Sequence, residues 1–117
     1  MRKLTAVLAL SFFASLAAYG ADVTGTWNAK VDLGGQGGSP TFVLKQDGEK
    51  LTGTYSGALG DADLTGTLKG ARISFDFEVQ GAKIHYEGTV NAHATAMEGT
   101  CDYAGQASGT FKATKKE

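Results

Sequence analysis

Residues 71–90 read ARISFDFEVQGAKIHYEGTV. Ile73, Phe75, Phe77 and Val79 alternate with Arg72, Ser74, Asp76 and Glu78. A side-chain period of two belongs to a strand with one apolar face and one wet face. Gly81 turns the chain, and the alternation resumes with Ile84, Tyr86, Gly88 and Val90 on the apolar side. So short a connection joins antiparallel neighbours. The stretch therefore reads as two strands, about Ala71–Gln80 and Ala82–Val90, in one hairpin.

The same pattern extends both ways. Strand one runs over Val23–Leu33, with Trp27, Ala29, Val31 and Leu33 inward. A glycine-rich break, Gly34 to Ser39, ends at Pro40. Strand two, Thr41–Gln46, turns Phe42 and Leu44 inward before the hairpin signal Asp47-Gly48. Strand three, Lys50–Gly57, carries Leu51, Gly53 and Tyr55. A turn at Ala58–Asp61 leads to strand four, Ala62–Lys69, with Leu64, Gly66 and Leu68 inward, and Gly70 turns again. A tight turn at Asn91–His93 precedes strand seven, Thr95–Tyr103, with Met97, Gly99, Cys101 and Tyr103 inward. Ala104-Gly105 leads into strand eight, Gln106–Thr114, with Gly109, Phe111 and Ala113 inward. No segment has helical periodicity. Eight antiparallel strands in sequence order predict an all-β, up-and-down meander barrel, because closure removes exposed strand edges. A two-sheet β-sandwich is the alternative.

The first twenty residues stand apart. Arg2 and Lys3 precede an uncharged apolar run, Leu4 to Ala18, and the small residues Ala18 and Gly20 suit a signal peptidase. Residues 1–20 are expected to be a leader cleaved after Gly20, with residues 21–117 forming one barrel domain. The run is too short to read as a membrane span. The expected location is the periplasm or the exterior.

The mature chain loses Arg2 and Lys3 and keeps nine basic residues against 12 acidic, a net charge of −3. Such a balance argues against nucleic acid as a partner. Cys101, the one cysteine, has no internal bridge to form and falls on an apolar strand face, where a packing thiol is expected.

One motif recurs. Gly-Thr followed by an apolar residue begins at Gly25, Gly53, Gly66, Gly88, Gly99 and Gly109. Glycine inside a strand costs about 0.5–1 kcal/mol relative to alanine, so six of them need an offsetting use. Two uses fit: glycine lets strands coil tightly enough to close a small barrel, or it clears inner volume beside an aromatic ring. The inverse arrangement, apolar outside in lipid, wants strands of about 9–11 residues and aromatic girdles at both rims. Here several strands are shorter, and Trp27, Phe75 and Phe111 form no girdle.

The two longest connections, Gly34–Ser39 and Ala58–Asp61, fall at the same end, which is expected to be the mouth, with the glycine-rich segment as a mobile flap. Inner residues nearest that mouth are Leu33, Phe42, Tyr55, Leu64, Phe77, Val79, Ile84 and Tyr103, with Trp27 deeper. Together with Tyr86 these are the candidate ligand-binding residues. An apolar, aromatic interior with a few tyrosine hydroxyls suits a small hydrophobic or amphipathic molecule. A ligand-free structural or protein-interaction module and a small-barrel cyclase or isomerase, with tyrosine as the acid, are the alternatives.

Gly25-Thr26-Trp27 and Leu51-Thr52-Gly53-Thr54-Tyr55 resemble the calycin barrels, avidins and lipocalins. Lipocalins share a Gly-x-Trp on strand one near the closed end and a lid loop after it. Thr100-Cys101-Asp102-Tyr103 loosely echoes their later Thr-Asp-Tyr motif. The avidin similarity covers strands one to four. Avidin-type biotin sites gather several tryptophans, and this chain has Trp27 alone, so the resemblance implies the barrel rather than that ligand.

Catalytic groups are not apparent. His85 projects outward and His93 lies in a turn, so no metal set is expected. Asp61 and Asp63 flank a turn, where aspartates cap the backbone. No serine or cysteine stands beside a base. Gly34-Gly35-Gln36-Gly37-Gly38 lacks the lysine and helix of a phosphate loop. No cofactor is expected.

Overall fold

The computed structural model describes residues 22–116. The expected leader and its cleavage point lie outside the described residues. Eight strands follow in order: β1 Gly25–Asp32, β2 Thr41–Asp47, β3 Lys50–Gly57, β4 Gly60–Lys69, β5 Arg72–Val79, β6 Ala82–Val90, β7 Ala96–Tyr103 and β8 Ala107–Lys115. Each pairs antiparallel with the next. The ring closes through β1 and β8, from Trp27↔Lys115 to Asp32↔Thr110. The result is a closed up-and-down barrel, not a sandwich.

Burial follows the alternation. On β5, Ile73, Phe75, Phe77 and Val79 are buried while Arg72, Asp76 and Glu78 are exposed. The inner face gathers Trp27, Phe42, Leu44, Leu51, Tyr55, Leu64, Ile84, Tyr86 and Phe111 into one apolar core. Among the described residues the outer face leaves a single large apolar side chain exposed, Val43. Cys101 is buried and free, as expected of a packing thiol.

Closing eight strands into so narrow a ring requires them to bend. At Gly53, Gly66, Gly88, Gly99 and Gly109, a Cβ would overlap the carbonyl oxygen of Val43, Ser74, Glu98, Glu87 and Asp32 on the adjacent strand, respectively. Five of the six repeated glycines therefore serve close strand approach, the first of the two uses predicted. Gly25 differs. Its φ is +144°, a backbone shape that side-chain-bearing residues rarely adopt.

The turns correct several expectations. Ala58 and Leu59 alone link β3 to β4, because Gly57 pairs with Gly60. The segment Ala58–Asp61 is therefore a tight hairpin, not a long loop. The glycine-rich segment is also shorter than predicted. Gly37 and Gly38 pair back onto Asp32 and Val31, in the register set by Asn28↔Thr41. The Ala29 amide donates to the Pro40 carbonyl between them. Strand two thus continues through Pro40, which lacks only its own donor, and the open loop shrinks to residues 33–36. At the other end, the connection after β6 runs from Asn91 to Thr95, since β7 begins at Ala96. The Asn91 carboxamide accepts from the amides of Thr95 and Ala96, and Ala94 takes φ +55° and is buried.

Candidate functional site

Loop length no longer identifies the mouth, because one of the longer turns lies at each end. Burial distinguishes the two ends instead. At the end holding Asn91–Thr95, the barrel is plugged. Val23 and Trp27 are fully buried there. The Trp27 indole donates to the Val23 carbonyl at 2.9 Å, and the Val23 amide donates to Gln46 Oε1 at 2.9 Å. At the opposite end, four apolar side chains pack against the core yet remain partly exposed: Leu33, Leu59, Ala62 and Tyr103. They come from β1's end, the β3–β4 turn, the start of β4 and the end of β7. That end is the one expected from the sequence to be the mouth, and it is where apolar side chains of the core reach solvent.

The candidate residues sort by depth. Leu33 and Tyr103 stand at the rim. Leu64, Val79 and Ile84 form wall beneath it. Phe42, Tyr55, Phe77 and Tyr86 belong to one ring cluster. Tyr55 stacks on Phe77 with centroids 4.3 Å apart. Phe42 meets Phe77 at 6.2 Å and Tyr86 at 5.2 Å. Trp27 lies at the closed end, as floor. Phe75 and Phe111 join the same cluster, Phe75 stacking on Tyr86 at 5.3 Å and Phe111 meeting it edge-on at 4.9 Å. Alternation placed both inward, yet neither was among the candidate residues, although Phe75 pairs directly with Tyr86, which was. Leu59 and Ala62 were missed at the rim. Leu59 sits in a turn, where period two carries no signal. Its carbonyl accepts from Gln80 Nε2 at 2.6 Å, tying the β3–β4 turn to the neighbouring β5–β6 turn along the rim.

The polar atoms inside are tyrosine hydroxyls. Tyr86 and Tyr103 bond to each other, oxygen to oxygen 2.7 Å. Tyr86 is fully buried and Tyr103 partly exposed. Were Tyr103 the donor, the Tyr86 hydrogen would be stranded in an apolar enclosure, at a cost of about 1–3 kcal/mol. Tyr86 therefore donates, and the Tyr103 hydrogen remains unspent by the pair. Burial pushes the Tyr86 and Tyr103 phenols upward from their ordinary range, so both stay neutral at physiological pH.

Outside the barrel, His85 holds two carboxylates. Its Nδ1 lies 2.6 Å from Asp76 Oδ1 and its Nε2 lies 2.8 Å from Glu87 Oε1. A neutral imidazole has one N–H, so both contacts are hydrogen bonds only in the imidazolium. The bond to Glu87, then that to Asp76, raises the His85 pKa above its ordinary 6.5 against the opposing effect of burial. A raised folded-state pKa stabilises below the unfolded value and loses that contribution as pH rises through the folded one. The thermal midpoint of the wild type, measured against that of His85→Gln, is expected to be higher at mildly acidic pH, with the difference fading as pH rises through the raised His85 value. The pair is surface-exposed, so the difference is small. A constant difference across that range would contradict the assignment. Among the described residues no three His, Cys, Asp or Glu side chains are grouped so as to hold a metal ion.

No protein-family model matches the chain, and no curated protein matches it. A solved structure does: a de novo designed fluorescence-activating β-barrel, TM-score 0.58, 12% identical, covering 80% of this chain and 93% of that one. At that identity the similarity is one of fold. This chain is an antiparallel β-barrel with an aromatic interior.

Proposed function

We propose that the chain is an exported, calycin-like barrel that takes a small apolar or amphipathic molecule at the mouth of its aromatic interior. The observation that carries this reading is the gathering of the partly exposed apolar side chains, Leu33, Leu59, Ala62 and Tyr103, at one end of a barrel plugged at the other. An apolar rim with few polar groups suits such a ligand. The similarity to a barrel designed to be fluorescence-activating is in keeping with a small-molecule role for this fold. The basic start and apolar run of residues 1–20 support export.

Leu33, Tyr103, Val79 and Phe77 would touch the ligand first, with Ile84 beneath them. Phe42, Tyr55, Leu64, Tyr86 and Trp27 would support it from beneath, because each is at most 2% exposed. That close packing also favours a second reading, a filled barrel that serves as a structural or interaction module. Titration with 1-aminoanthracene, a flat apolar dye with one polar group, separates the two under native mass spectrometry. The first reading expects one dye per barrel, displaced by excess fatty alcohol. The second expects none.

A further inference from the structure

The interior chemistry narrows the ligand class, given the binding reading just proposed. Tyr86 is enclosed and spends its hydrogen on Tyr103. The Tyr103 hydroxyl has its acceptor capacity partly used and its hydrogen free. No charged side chain is buried among the described residues, so no cation stands ready to receive an anion in the interior. Burial first, and to a smaller extent the neighbouring acidic Asp61 and Asp102, push the titrations of Tyr55 and Cys101 upward. An anionic head group would lose its hydration there without an ion pair in return.

We infer that the ligand is an uncharged, mainly apolar molecule bearing one hydrogen-bond acceptor oxygen, of the carbonyl type, which receives the Tyr103 O–H. Tyr86 orders that donor by fixing the Tyr103 oxygen from beneath, a chain in which each bond polarises the next. The rest of the ligand lies against Leu33, Leu59 and Ala62, the other partly exposed apolar side chains of that end.

Three probes of one shape test it: fluorene, 9-fluorenone and fluorene-9-carboxylate. Affinities are read by calorimetry on the wild type, Tyr103→Phe and Tyr86→Phe, each first shown folded by circular dichroism. The wild type is expected to bind fluorenone about tenfold more tightly than fluorene, the worth of one ordinary hydrogen bond, and to bind the carboxylate least. Tyr103→Phe should bind fluorenone and fluorene alike, with fluorene affinity kept within about twofold. Tyr86→Phe leaves the Tyr103 donor in place and should keep the preference. Equal binding of fluorene and fluorenone by the wild type would overturn the inference, with the Tyr103 hydrogen spent on water. So would a preference that survives Tyr103→Phe, or carboxylate as the best probe. Binding of none of the three would instead overturn the ligand reading on which the inference rests.

Discussion

Gly99→Ala is expected to destabilise the barrel by about 3 kcal/mol or more, at the upper end of what overpacking costs. Gly99 pairs directly with Gly88 across β6 and β7. A Cβ on Gly99 would overlap the Glu87 carbonyl oxygen, and a Cβ on Gly88 would overlap that of Glu98. These atoms are backbone, so no rotamer change relieves the overlap. The two strands must move apart, and the ladder hydrogen bonds on both sides lengthen. A small domain has only about 5–10 kcal/mol in hand. The double variant Gly88→Ala/Gly99→Ala should therefore show no cooperative urea transition at all. Gly38→Ala provides the contrast. Gly38 is exposed, and a Cβ there meets nothing. That change should leave stability within about 1 kcal/mol, on the stabilising side, by restricting the unfolded chain. Equal effects at Gly38 and Gly99 would remove the steric account of the repeated glycines.

Trp27→Ala should cost about 3–5 kcal/mol, as large aromatic truncations in cores do. Trp27 is fully buried, and its indole N–H is the donor that the Val23 carbonyl receives. The truncation removes the floor of the barrel and leaves that carbonyl without its donor. Trp27→Phe keeps most of the volume and loses the hydrogen bond, so a cost of about 1–2 kcal/mol is expected. Urea midpoints at constant slope measure both. If Trp27→Ala cost under 1 kcal/mol, the closed end would not be closed by this residue, and the assignment of floor and mouth would fail.

The strand pattern was legible because a closed barrel has one inside. Every strand then obeys the same alternation, and residues 71–90 display it without interruption. Turn lengths were less legible. The tightness of Ala58-Leu59 depends on Gly57 meeting Gly60. The length of Asn91–Thr95 depends on a left-handed Ala94 and on where the Asn91 carboxamide points, and neither follows from residue type. Pro40 looked like the end of a break, yet β2 continues through it because its missing N–H is the only bond lost. The glycines were visible as a repeat, but the choice between strand coiling and cleared volume needed the neighbouring carbonyls. Leu33, Tyr103 and the ring cluster were found by alternation. Leu59 and Ala62 were not, because a rim residue is defined by the end it occupies rather than by its face. The pairing of Tyr86 with Tyr103 depends on the register of β6 against β7, Ile84↔Tyr103, which composition does not carry.

The most direct test of a ligand-taking mouth is native mass spectrometry of the protein recovered from an exporting host without detergent, before and after addition of 1-aminoanthracene. The account predicts a bound small molecule that leaves on denaturation, or one dye per barrel that excess fatty alcohol displaces. A bare mass that stays bare with dye present would contradict it and leave the filled barrel as an interaction module.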